Sequence, residues 1–496
     1  MPAKTLMIQG SMSSAGKSTL VTALCRLFAR RGVRVAPFKA QNMSNNAAVC
    51  DDGGEIGRAQ YTQALAAGIR PTVQMNPVLL KPEADMRSQV IVNGRIWETL
   101  PAHSYYERKR ALWQHVTTGL DALREQYDLV LIEGAGSPAE LNLKRGDIVN
   151  MAVAQYAQSP VLLAGDIDRG GIFAQLLGTL MLLDESERAL VRGLIVNKFR
   201  GDPTLFEDGI EILQTRGGVP VLGVIPYIKD RALPEEDAVA IEQQTPITPQ
   251  AGSLDIAVIA LPRIANFDDF DPLRNEVGVQ VRYVSRADDL GAPNAVIIPG
   301  SKSTMADLLW LREQGFEACI ASLAQKGCAI VGICGGYQML GTSIHDPHGV
   351  ESSVTTMSGL GLLPVETTFA SHKATHQVQA VFTGMQGWCA ALQGQPITGY
   401  EIHMGHTFSA SPWIQIRIRG SKAVALADGA MNPEGRIWGC YLHGLFANDH
   451  LRRAWLRSLA WQGHDSTPFS LMATFDHLAD VVETHLDMTQ LEQIIG

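Results

Sequence analysis

Two segments of the chain place residue types whose order and spacing imply chemistry. The first is Gly10-Ser11-Met12-Ser13-Ser14-Ala15-Gly16-Lys17-Ser18-Thr19, followed by the helical pattern Leu20 to Arg30. Its glycines and small residues let successive backbone N–H groups curl around a phosphate, and the helix start adds partial positive charge. Gly10, Ser13, Gly16, Lys17, Ser18 and Thr19 form the expected ATP-binding set. Lys17 would bridge the β and γ phosphates, and the Ser18 hydroxyl would take one position on Mg²⁺. The second segment is Ala329-Ile330-Val331-Gly332-Ile333-Cys334-Gly335-Gly336-Tyr337-Gln338-Met339-Leu340, with Cys334 between an apolar run and a helix. The glycines permit the tight turn that exposes a nucleophile and aims backbone N–H groups at a developing oxyanion. A thiol at a helix start is also easier to ionise.

A thiolate nucleophile needs a base, and two histidines compete for that role. His443 ends the apolar run of Trp438-Gly439-Cys440-Tyr441-Leu442-His443, and His403 sits in Gly399-Tyr400-Glu401-Ile402-His403-Met404-Gly405. Pro299-Gly300-Ser301-Lys302 ends another strand, so Gly300, Ser301 and Gly335 are the expected oxyanion residues. Glu133 closes the run Leu129 to Ile132 and brings a carboxylate to the edge of a parallel sheet where ligands bind, which makes it a second expected magnesium ligand. Asp166, Asp168 and Arg169 repeat that placement after the next strand, although solvated loop acids would read the same way. Asn197 follows a further strand and is expected to face the nucleobase.

Positioning these residues requires strands that alternate with helices. Thr5 to Gln9, Val33 to Pro37, Leu129 to Ile132, Val161 to Ala164, Gly193 to Val196 and Val221 to Val224 supply that rhythm, which predicts a mostly parallel sheet covered on both faces. The polar, proline-bearing stretch Ile241 to Ser253 reads as a linker. Beyond it the rhythm restarts with Asp255 to Ala260, Gln280 to Val284, Ala295 to Ile298 and Ala329 to Ile333. After about Gly341 the pattern turns to alternating segments such as Gln377 to Phe382 and Ile414 to Ile418, which predicts an antiparallel extension. The expected architecture is α/β throughout, with one domain over 1–245 and a second over 252–496.

Composition narrows the function classes. The 496 residues exceed one small module, and 46% hydrophobic residues supply large cores. A net charge of −9 with no basic tail argues against nucleic acid as a partner. The 7 cysteines form no CxxC pair, which suits a reducing cytoplasm. No run reaches the length of a membrane span, and no leader pattern precedes Thr5, so neither membrane nor secretion is expected.

The strand-Cys-Gly-Gly-helix pattern with a distant histidine resembles class I glutamine amidotransferases. The phosphate loop, with five residues between Gly10 and Gly16, resembles the dethiobiotin synthetase branch. Fused in this order, the two resemble the cobyric acid synthase family along essentially the whole chain. Pro37 to Asn46, Glu55 to Gln60, Asn76 to Pro82 and Leu261 to Phe267 carry that likeness. It implies Cys334 as glutaminase nucleophile and His443 as its base, with Lys39 stabilising an acyl phosphate and Glu55 binding magnesium. It also implies a corrinoid substrate whose peripheral carboxylates are amidated with ATP, Mg²⁺ and glutamine. The sister amidase acting on cobyrinic acid, and a partitioning-type nucleotide-switch ATPase, are the alternatives. Such a polyanion needs cations, and Arg58, Lys81, Arg169 and Arg263 are the expected ones, joined at the substrate by Asp166, Asp168 and His403. The segments Ala40 to Asn46 and Tyr400 to Gly405 are expected as walls of a broad substrate platform. Many amidotransferases read His-x-Glu, whereas His443-Gly444-Leu445 carries no acid, so the third triad member is unassigned.

Overall fold

The computed structural model describes residues 2–83, 86–228, 252–463 and 470–496. Its first sheet is wholly parallel, in the order Val221–Pro226, Val191–Phe199, Val161–Asp166, Lys4–Gly10, Leu129–Glu133, Val35–Phe38. Side chains such as Leu6, Ile8, Leu131 and Leu162 are buried, as strands covered on both faces require. Because Lys4–Gly10 lies between Leu129–Glu133 and Val161–Asp166, the phosphate loop, Glu133 and Asp166 emerge side by side at one sheet edge.

The second sheet repeats the device. Ala329–Ile333 runs between Ala295–Ile298 and Ile437–Cys440, all parallel, so the segments holding Cys334, Gly300 and His443 leave the same edge. The antiparallel extension is built on the long strand Glu366–Phe382, which pairs with Pro396–Phe408 and Ile414–Arg419. Both sheets and this extension match the expected α/β architecture.

Two features differ from the expectation. A separate sheet of Gln41–Met43, Val78–Pro82, Arg87–Val92 and Arg95–Pro101 projects from the first unit. Its hairpin turns at Asn93-Gly94, both at positive φ (47° and 77°), the geometry that favours these two residues in a two-residue turn. The C-terminal helices Leu471–His485 and Met488–Ile495 do not stay with the second unit. They return to helix Lys17–Arg30, where Phe475, Leu478, Ala479 and Val482 share a core with Leu20, Leu24 and Leu27. Arg26 pairs with Asp476 at 2.7 Å and Arg30 with Asp480 at 2.6 Å across the same seam. The last segment of the expected span 252–496 thus completes the core of the first unit. The expected linker lies, but for Gly252 and Ser253, outside the described residues. Among the described residues no helix is long and apolar enough to cross a membrane.

Candidate active sites

The phosphate loop is held by its neighbours. Ser11 N–H donates to Ala164 O at 2.8 Å, and Ser14 and Gly16 take positive φ values of 61° and 91°. Lys17 Nζ donates to Met12 O and Gly136 O, each at 3.1 Å, so its ammonium is folded back across the loop. A Cβ on Gly10 would lie 2.8 Å from Met12 O and 3.0 Å from that ammonium, which explains the glycine. Ser18 Oγ donates to Glu133 Oε1 at 2.9 Å, and Lys39 Nζ reaches the same oxygen at 2.8 Å. Lys17, Ser18, Lys39 and Glu133 are thus brought to one place, as expected. A hydroxyl and a carboxylate at the loop are hard oxygen donors of the kind that hold magnesium beside phosphates. Ser13, Gly16, Thr19 and Asn197 line the same cleft, of about 1170 Å³.

Several expected residues lie elsewhere or are spent. Asn197 Nδ2 donates to Ala15 O at 2.8 Å, so part of its amide braces the loop. Glu55 is not a neighbour of the Ser18–Glu133 pair. Its two oxygens face Lys81 and Lys373, each at 2.5 Å, and these cations overcome the cost of burial and hold its carboxyl down to about 2. That arrangement sets Glu55 apart from the phosphate loop, and with two lysines on one carboxylate it leaves a positive excess beside the Cys334 cavity, which Lys81 and Lys373 line. Arg58 is likewise buried against Asp268 at 3.1 Å, and Arg263 is taken by Asp307 at 2.9 Å. On the cleft itself Asp166 is buried against Lys198 at 3.0 Å and Asp168 pairs with Arg200 at 2.6 Å, while Arg169 is half-exposed. Gln41 to Asn46 do line the cleft, as expected of a wall. Lys109 and Lys144 line it too, the latter paired with Asp184 and Glu187, and neither belongs to a motif that marks it in sequence.

Cys334 sits at φ 52° and ψ −108°, the strained corner between strand Ala329–Ile333 and helix Gly335–Leu340. A Cβ on Gly336 would fall 1.9 Å from Ile298 O, and one on Gly335 2.9 Å from Ser301 N, so only glycines let the turn close against the Gly300–Ser301 loop. Cys334, His443, Gly300, Ser301 and Gly335 line one cavity of about 50 Å³. His403 lines it as well, with Nδ1 at 2.8 Å from Gly405 O, Nε2 at 3.2 Å from Glu401 Oε1 and its ring stacked 3.9 Å from that of Tyr441. Both ring nitrogens of His403 are engaged, so it is a wall of the thiol site. It lies there with Ile402 and Met404 and does not line the phosphate-loop cleft. Burial pushes the thiols of Cys25, Cys50 and Cys440 well up and that of Cys328 to about 11, as inert core cysteines require.

The missing acid is Asp269. Its Oδ2 lies 2.7 Å from His443 Nδ1 and its Oδ1 accepts the Gly444 N–H at 2.7 Å. Burial disfavours the imidazolium, but the Asp269 carboxylate and the Cys334 sulfur outweigh it and raise His443 to about 10. With Nδ1 turned to Asp269, Nε2 is left for the thiol, the arrangement of a nucleophile, a base and an orienting acid. The acid comes from Asn266-Phe267-Asp268-Asp269, far upstream of the histidine, where His-x-Glu spacing gives no hint of it. Asp269→Asn is expected to lower glutamine hydrolysis about 10²-fold, near 2.7 kcal/mol in barrier, because the amide can no longer fix the tautomer. Glutamate release measured without corrinoid checks it; an unchanged rate would remove Asp269 from the site.

A phosphate-loop sheet unit joined to a cysteine-elbow sheet unit defines a two-domain glutamine amidotransferase. Residues 255–451 match the model of the CobB/CobQ-like glutamine amidotransferase domain, and residues 6–239 that of the CobQ/CobB/MinD/ParA nucleotide binding domain. A cobyric acid synthase of Chloroflexus aggregans is 59% identical over 497 residues, covering 100% of this chain and 99% of that one. One from Moorella thermoacetica is 51% identical over 504 residues, covering 100% and 98%. The chain belongs to the cobyric acid synthase family.

Proposed function

We propose that this chain amidates the b, d, e and g carboxylates of adenosylcobyrinic acid a,c-diamide, with glutamine as nitrogen donor and ATP as the source of activation, to give adenosylcobyric acid. The observation that carries the reading is the pairing on one chain of a buried Cys334, His443 and Asp269 with a cleft of about 1170 Å³ at the phosphate loop that Lys17 and Lys39 line. A carboxylate does not react with ammonia at neutral pH, because its oxygen is a poor leaving group. Phosphoryl transfer from ATP makes an acyl phosphate whose leaving group is phosphate. Lys17 and Lys39 screen the repulsion between the two anions as they meet. Magnesium, when bound, neutralises phosphate charge, and Ser18 and Glu133 are the groups that would hold it.

At the second site the Cys334 thiolate attacks the glutamine carboxamide, with the Ser301 and Gly335 backbone N–H groups facing the oxyanion. The His443 imidazolium gives its Nε2 proton to the departing ammonia, then takes one from the water that releases glutamate. Ammonia attacks the acyl phosphate in the cleft. The 7 free thiols suit a reducing cytoplasm.

Mass spectra taken during turnover of the adenosylated a,c-diamide with Mg-ATP and glutamine test the substrate. A site serving several carboxylates of one macrocycle must release and rebind it, so species with one, two and three new amides are expected before the product with four. An inert a,c-diamide, with cobyrinic acid gaining two amides instead, would assign the sister reaction and overturn this one.

A further inference from the structure

His443 is held by more than its own domain. Its ring stacks on Tyr400 at 5.3 Å and 19°, and the two backbones exchange hydrogen bonds of 2.9 and 3.1 Å. The Tyr400 hydroxyl accepts from Arg58 of the nucleotide-binding domain, and also from Asn266 Nδ2 at 2.8 Å. Arg58 Nε lies 3.1 Å from Asp268 Oδ2, and its guanidinium packs 5.1 Å from the Tyr400 ring centroid. Asp268, partly buried, and Asp269, buried, are consecutive carboxylates, and desolvation together with Asp269 raises the Asp268 carboxyl despite Arg58. Two such charges side by side repel, and an unpaired one would be costly. Arg58 therefore supplies the counter-charge to Asp268, the direct neighbour of the Asp269 carboxylate that holds His443.

The other end of the same helix touches the other site. Arg58 opens helix Arg58–Ala66, and Gln63, five residues on, donates from Nε2 to Glu133 Oε2 at 2.5 Å. Glu133 is the carboxylate that receives Ser18 and Lys39 at the phosphate loop. Five residues rise only about 7.5 Å along a helix axis, so one rigid turn and a half spans the interval. Gln60 and Gln63 are fully buried, which leaves the helix little room to flex without moving both ends.

We propose that Arg58 is a positioning residue of the glutamine-hydrolysing site, and that its helix makes the placement of His443 answer to nucleotide at the phosphate loop. The inference rests on the reading of Cys334 as the glutaminase nucleophile and of Glu133 as a group engaged when ATP binds. Were Ser18 and Glu133 to turn from each other to the Mg²⁺ of a bound nucleotide, Gln63 would follow Glu133 and Arg58 would shift against Asp268 and Tyr400. Glutamine is then hydrolysed fastest when ATP is in place to use the ammonia.

The test is the rate at which Cys334 is alkylated by a chloroketone analogue of glutamine in the full-length chain, without corrinoid, with and without a non-hydrolysable ATP analogue and Mg²⁺. In the wild type the limiting rate at saturating reagent is expected to rise about fivefold or more with nucleotide, within the usual range of coupling between sites. Arg58→Gln is expected to lower the limiting rate while the half-saturating reagent concentration stays near the wild-type value, and to abolish the nucleotide response although nucleotide still binds by fluorescence titration. Arg58→Lys keeps the charge beside Asp268 but cannot also reach Tyr400 in the same fork, so it recovers part of the basal rate without the response, and it carries the test if the glutamine variant does not fold. A wild-type rate indifferent to nucleotide, or either variant retaining the full response, would overturn the proposal. A merely structural Arg58 would change melting temperature or reagent affinity and leave the response intact. Failure of the underlying reading would show separately, as a wild-type chain in which the reagent does not label Cys334.

Discussion

With Cys334→Ala, glutamate release from glutamine falls to background, while amidation driven by a high concentration of ammonium salt continues at the wild-type rate. Removing a nucleophile that forms the covalent intermediate costs on the order of 10⁴-fold or more, since the remaining groups only bind and polarise the amide. The synthetase chemistry needs ammonia and not the thiol, and the phosphate cleft is lined by none of Cys334, His443 or Asp269. The methyl group of alanine fits the strained corner, so the fold should survive. Measured side by side, the two activities decide the matter: loss of both in a folded variant would sink the division of labour between the sites.

Lys17→Ala is the converse case, because both nitrogen sources depend on activation of the carboxylate. Losing the ammonium that faces the transferred phosphoryl group should remove about 3 kcal/mol of transition-state stabilisation, a fall of ~10²-fold or more with either glutamine or ammonia. The substitution also deletes two hydrogen bonds that tie the loop to Met12 O and Gly136 O, which adds a loss of nucleotide affinity to the loss of rate. Ammonia-dependent turnover near the wild-type value would show that this loop does not hold ATP.

What could be read from sequence was what is local. The phosphate loop and the cysteine elbow are each a strand, a turn and a helix within about fifteen residues, and the turn chemistry marks them. Glu133 was legible for a related reason, since a parallel strand must deliver its last residue to the ligand edge. Asp269 was not, because it reaches His443 across 174 residues and its own segment resembles an ordinary acidic turn. Arg58 and Glu55 were not legible either, because each meets a partner from the other unit, Asp268 and Lys373, that no spacing in sequence reveals. The hairpin at Asn93-Gly94 carries a usable signal, a two-residue turn flanked by strand-forming residues. The return of the C-terminal helices had none, for an amphipathic helix does not reveal which surface it will cover.

That return has a consequence for synthesis in the cell. The apolar face of Lys17–Arg30 leaves the ribosome more than four hundred residues before Phe475, Leu478 and Val482 emerge. At roughly 5–20 residues per second, that face waits on the order of half a minute or longer with its covering absent. The first unit therefore cannot finish folding as it is made, and severing the chain between the two units would leave the phosphate-loop helix permanently without its cover. Nascent chains stalled before residue 470 should bind a hydrophobic-surface dye or a chaperone at this helix, and the same helix should be silent once Leu471–His485 has docked.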